Sequence, residues 1–273
     1  MIIQPSTIKA AFSKHFEKYA STRSRVWGIS YHVDCWKSGK DAFFQRNPQL
    51  FDKIYEELRG KWQVFRRTKG QHWSAQQTYD ALVSLDASYA RKKLSELEME
   101  DADGLGETIQ NMTGIKATSS GPSLVAISKF LHFWNPRLFV IVDRGAMWSW
   151  VFGHSWLWEQ VLGIRKKVET RLSGKWADAS DSACDPLSYL AILLWAGDLV
   201  RQNPTIPRSF AEYVSQHADA DGLPLVEYEA AAVEWLLLGL AELPPGGVDV
   251  ATNESTEAIT EVLGDERDAG AAR

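Results

Sequence analysis

Asp143 stands in the run SKFLHFWNPRLFVIVDRGAMW, residues 128–148, between two of the most apolar stretches of the chain. An apolar helical pattern stops at Asn135-Pro136, the short run Leu138 to Val142 (LFVIV) follows, and Asp143 opens a further segment predicted to be helical to about Trp150. LFVIV is too apolar for the surface and too short for a helix, so it is expected to cross the interior as an extended connector. A carboxylate at the start of a helix accepts hydrogen bonds from free backbone N–H groups, and the helix dipole favours its ionised form. Held ionised in a poorly solvated place, it can stabilise a cationic sugar and orient or deprotonate water, as in glycosyl-bond hydrolysis. The same residue could also serve as a helix cap and nothing more. On a helix over Pro122 to Trp134, the stripe Leu124, Ile127, Phe130, Leu131 and Trp134 is expected to be buried. Lys129 and His132, three residues apart, then share the other face as candidate catalytic support.

Two further segments carry chemistry-bearing side chains. Arg59 to Trp73 (RGKWQVFRRTKGQHW) packs Arg59, Lys61, Arg66, Arg67 and Lys69 around Trp62, Phe65 and Trp73. It suits a phosphate-contacting surface and equally a solvated helix end whose cations complement the dipole. Trp27 to Trp36 (WGISYHVDCW) gathers Trp27, Tyr31, His32, Asp34 and Trp36 without clear periodicity. It reads as an irregular aromatic segment, either packed in the core or stacking on and reading a base. His32 and Asp34 have no obvious third ligand beside them, so no metal is expected. Ile164 to Lys167 (IRKK), with Arg171 and Lys175, reads as a polar helix face. Walker A, G-x-S-x-G, H-E-x-x-H and paired-carboxylate nuclease patterns are absent from the sequence. Twelve tryptophans are many for 273 residues; most are expected in the core, some in a stacking pocket for a flat ligand.

The elements that must position these residues are helical, and the fold class predicted is all-α. Helices are expected at Ser6 to Ala20, Pro48 to Phe65, Ser74 to Met99 (broken once), Glu107 to Met112, Pro122 to Trp134, Pro186 to Val200, Phe210 to Val214 and Leu225 to Leu240. Asp101 to Gly106 (DADGLG) reads as a loop and a possible boundary between two lobes. Residues 1–243 form the expected folded part, and 244–273 an acidic, disordered tail. From Pro244 to Arg273, seven acids against Arg267 and Arg273 give −5, as much as the formal charge of the whole chain, while residues 1–100 hold 17 Lys+Arg against 11 Asp+Glu. A basic front half is compatible with a polyanionic partner. With two cysteines, Cys35 and Cys184, a protein-held iron–sulfur cluster or Cys-rich zinc site is excluded, and reduced thiols are expected. Neither a signal peptide nor a bilayer-length apolar run is visible, so a cytoplasmic monomer without cofactor or membrane contact is expected.

A glycine-bearing turn (Ser120-Gly121-Pro122), a helix (Ala126 to Phe133), an apolar connector and an Asp opening the next helix (Val140-Ile141-Val142-Asp143) resemble the helix-hairpin-helix DNA glycosylases. Met147-Trp148 also looks like the Met-Trp pair of their 8-oxoguanine glycosylase branch, placed one residue further from the Asp. The resemblance implies a two-lobed helical fold with double-stranded DNA across the groove and a flipped nucleotide beside Asp143. It further implies that the amides around Ser120 and Gly121 hold a phosphate, that Arg144 joins the DNA contacts, and that Trp148 belongs to the base pocket. Two departures stand out. Of the hairpin's two glycines only Gly121 is kept. The Schiff-base lysine position, 18 or 19 residues before the Asp, is occupied by Val125 or Leu124. The implied enzyme is therefore monofunctional, and Lys129 is left to contact a phosphate or pair with a carboxylate. The twelve tryptophans and the extended N-terminal region would suit an unusual, bulky base, for instance a modified base of foreign or viral DNA. The rival expectation is a non-catalytic helical module that binds nucleic acid or protein, with Asp143 only a cap.

Overall fold

The computed structural model describes residues 1–21, 29–44, 47–60, 62, 64–65, 72–115, 117–118, 121–142, 155–172, 186–243 and 250–251. The fold is all-α, as its sequence predicts. In chain order the helices are α1 (Pro5–Ser21), α2 (Ile29–Phe44), α3 (Pro48–Gly60), α4 (Ala75–Val83), α5 (Ala102–Asn111), α6 (Leu124–Trp134), α7 (Ser155–Leu172), α8 (Pro186–Gln202), α9 (Thr205–His217) and α10 (Glu229–Leu240). Two antiparallel pairs of two-residue strands supplement them: β1 (Ile2–Ile3) with β4 (Val250–Ala251), and β2 (Ala117–Thr118) with β3 (Gly121–Pro122).

Helices α6, α8 and α10 are buried on nearly every face, and their sequences are apolar almost throughout. Such helices must lie inside, with amphipathic ones around them. The wrapping helices bury one stripe each: Ile8, Phe12 and Phe16 on α1, and Phe51, Ile54, Tyr55 and Leu58 on α3. Around α10 pack α1 and α9; α2 bridges α3 and α6; α5 and α7 lie against α8. Small residues set the closest approaches. A Cβ at Gly239 of α10 would lie 2.0 Å from the Ala11 carbonyl oxygen of α1, and one at Gly39 of α2 would lie 2.7 Å from that of Phe133 on α6. The buried apolar side chains form one cluster to which every helix contributes.

Several elements differ from expectation for identifiable reasons. Asp101 to Gly106 is not a loop but the start of α5, and the possible lobe boundary there falls inside a helix. Its glycine answers to packing, since a Cβ at Gly104 would meet the Tyr89 hydroxyl at 2.4 Å. Its acid Asp101 accepts from the Glu98 N–H and pairs with Lys92. The third helical region shrinks to α4, capped by a reciprocal Ser74–Gln77 box, and continues as turns and two short 3-10 segments. Helix α3 stops at Gly60, where the N–H groups of Trp62 and Val64 reach back to the Glu57 and Leu58 carbonyls. Trp27 to Trp36 is not irregular from residue 29 onward. Ile29, His32, Val33 and Trp36 fall at helical spacing on the buried face of α2. Within the tail, Val250–Ala251 pairs with the N-terminal strand, which limits the expected disorder; the remainder lies outside the described residues.

Candidate functional site

The hairpin, α6 and the connector together make the stretch that leads to Asp143. Helix α5 ends at Asn111, a 3-10 turn over Thr113–Ile115 follows, and β2 and β3 pair Thr118 with Gly121 and Ala117 with Pro122. Ser123 then caps α6, its side chain accepting from the Ala126 N–H. At the other end Asn135 turns the chain out of the helix. Its amide nitrogen donates to the carbonyls of Tyr89 (2.7 Å) and Lys92 (2.9 Å), and its oxygen accepts from the Arg137 N–H (3.1 Å).

Leu138 to Val142 follow as a wholly buried segment that belongs to no helix or strand. Backbone polar groups inside a protein must be paired, and a segment without a sheet partner draws on turns and side chains. The Asn135 carbonyl accepts from the Leu138 and Phe139 N–H groups, and three side chains add bonds further along. His132 Nδ1 lies 2.7 Å from the Phe139 carbonyl oxygen, Tyr189 Oη donates to the Val140 carbonyl (2.9 Å), and the Val142 N–H donates to Ser128 Oγ (3.0 Å).

The protonation of His132 follows from its partners. A carbonyl only accepts, so Nδ1 carries a hydrogen; Trp36 Nε1–H donates to Nε2 at 3.1 Å, so Nε2 keeps its lone pair. The ring is the neutral Nδ1–H tautomer. Burial holds its pKa down at about 4, against a smaller upward pull from the Phe139 carbonyl. His32 is held well below the usual histidine range, first by burial and then by His132, His15 and Lys129.

The two sequence groups that carried polar and aromatic residues therefore meet in one buried cluster. His32 lies 5.6 Å from Trp36, 5.1 Å from Trp62 and 5.2 Å from Trp235, measured between ring centroids. Lys129 Nζ sits 4.9 Å from the centre of the Trp62 ring, a cation–π arrangement. The polar face expected for Lys129 and His132 does not exist, because α6 is enclosed and they are 3% and 0% exposed. His32 and Trp36, expected to face a base, are core residues for the same reason. Tyr31 and Asp34 lie on the outer side of α2. Tyr31 Oη donates to Glu57 (3.0 Å), and burial raises the Tyr31 pKa, with Cys35 and then Glu57 adding to the effect. The pocket they line between α2 and α3 is about 100 Å³, whereas ligand pockets start near 300 Å³. It is too small for a flipped nucleotide.

Asp143, Ser120, Arg66, Arg67, Lys69, Arg144, Trp27 and Trp148 lie outside the described residues, as does the helix expected to begin at Asp143. Ser128, Asn135 and Tyr189 are the connector's partners that the sequence reading missed. Tyr189 carried a usable signal: a phenol in the otherwise apolar run YLAILLWAG needs a buried partner. Ser128 carried none. Among the described residues no cluster of His, Cys, Asp or Glu could hold a metal ion, and no helix is long and apolar enough to cross a membrane. Compared with protein-family models, curated proteins and solved structures, the chain matches none.

Proposed function

We propose that the chain is a monofunctional DNA N-glycosylase of the helix-hairpin-helix type, acting on a damaged or modified base, with Asp143 as its catalytic carboxylate. One observation carries this reading. A two-strand turn at Gly121 leads into α6, and α6 holds a buried connector whose last N–H, at Val142, is fixed one residue before Asp143. A chain that spends three buried polar side chains on holding five connector residues has reason to deliver the next residue accurately.

In this reading Asp143 stabilises the developing oxocarbenium ion and orients or deprotonates the water that attacks it, leaving an abasic site. Lys129 plays no nucleophilic part: its ammonium lies against Trp62 inside the helical core, and it stands 14 residues before Asp143. The amides around Ser120 and Gly121 hold a phosphate, with Arg66, Arg67, Lys69 and Arg144 along the backbone and Trp27 and Trp148 toward the base. A modified base of foreign or viral DNA is the substrate class we favour. The test incubates the protein with duplexes carrying a panel of modified bases, then treats them with alkali. Strand cleavage after alkali on at least one duplex, lost in Asp143→Asn, is expected. Salt-sensitive DNA binding without base release on any duplex would instead mark a non-catalytic binding module.

A further inference from the structure

We propose that Ser128, His132 and Tyr189 are positioning residues, a clamp that fixes where the connector Phe139 to Val142 ends. The hydrogen bonds fall at three points within four residues, from the Phe139 carbonyl through the Val140 carbonyl to the Val142 N–H. They come from two directions, Ser128 and His132 from α6 and Tyr189 from α8, so neither helix alone sets the path. The clamp is braced from a third helix. Trp36 on α2 donates to the far nitrogen of His132 and holds the imidazole in the tautomer that can bond Phe139. Ser128 is itself oriented, donating back to the Val125 carbonyl at 3.3 Å, which aims an oxygen lone pair at the Val142 N–H. Apolar side chains would fill this volume equally well and leave the backbone groups unpaired, so the polar residues are there for the connector. The catalytic consequence of the clamp rests on the glycosylase reading, since a reacting group displaced by about 1 Å loses rate on the order of a hundredfold. The clamp itself does not rest on it.

The experiment uses the full chain and four variants, Ser128→Ala, Tyr189→Phe, His132→Leu and His132→Asn, the last returning an amide N–H near the place of Nδ1. Thr78→Val serves as control, because it removes a buried hydroxyl bond to the Ser74 carbonyl in α4, apart from the connector. Backbone hydrogen exchange at residues 139–142 is read beside global stability in urea. Base release and DNA affinity are read on whichever duplex the wild type cleaves. Exchange at Val142 is expected to rise about tenfold in Ser128→Ala beyond any global change. Base release should fall at least about tenfold while the dissociation constant for DNA stays within about threefold. His132→Asn should recover both relative to His132→Leu, and Thr78→Val should move neither beyond its global effect. Connector exchange that only tracks global stability in all variants overturns the clamp. Unchanged base release alongside faster exchange overturns its positioning role. If no duplex is cleaved by the wild type, the glycosylase reading fails and exchange alone decides whether the clamp exists.

Discussion

Acid should destabilise this protein through His132, whose burial sets the size of the effect. The ring is fully enclosed, its Nε2 accepts from Trp36 and its Nδ1–H donates to Phe139. Adding a proton at Nε2 places two N–H groups against each other and buries a cation. The folded pKa is about 4, against 6.5 for the free side chain. The unfolded chain therefore binds the proton more readily, and stability falls as pH drops below about 6.5, levelling off below about 4. At 1.36 kcal/mol per pKa unit, the full effect is about 3 kcal/mol, and about 2 kcal/mol of it is spent by pH 5. His32, whose pKa is lowered first by burial and then by His132, His15 and Lys129, adds a loss of the same sign. Urea unfolding at steps from pH 8 to pH 5 measures this. His132→Asn should start less stable at pH 8 and lose about 2 kcal/mol less than the wild type on the way to pH 5. Parallel curves for the two proteins would refute the assignment of a neutral, tautomer-locked His132.

Borohydride added during reaction with a cleavable duplex should trap no covalent protein–DNA adduct; an adduct lost in Lys129→Met would restore Lys129 as a nucleophile. Gly239→Ala should destabilise the fold by about 2 kcal/mol or more in urea, because the new methyl meets the Ala11 carbonyl, and a loss below about 0.5 kcal/mol would contradict the close α1–α10 contact. Tyr189→Phe should lower stability by about 1–2 kcal/mol in urea, since it strands the Val140 carbonyl in the core.

Helices whose apolar side chains recur three and four apart were legible: α1, α6 and α8 lie close to their expected bounds, and LFVIV is the buried connector its composition suggests. Helix α2 was hidden because two of its inward residues, His32 and Cys35, carry polar or reactive groups and broke the apolar count. DADGLG was misread because glycine permits close packing as readily as a turn, and here Tyr89 occupies the space a side chain would need. The polar face assigned to Lys129 and His132 failed for a related reason. Helical spacing tells which residues share a face but not whether another element covers it, and α2 together with the Trp62 turn covers this one. Two of the connector's partners, Ser128 and Tyr189, lie 14 and 49 residues away in sequence; the apolar run around Tyr189 signals that its phenol needs a buried partner but not which one.

Whether Asp143 meets a sugar is tested most directly by a structure of the chain with duplex DNA carrying a cationic abasic-site mimic. The mimic's ring should lie beside the Asp143 carboxylate, within about 3 Å, with a phosphate on the amides around Gly121. A duplex bound elsewhere, or an Asp143 carboxylate engaged only with the amides of its own helix, would contradict that placement.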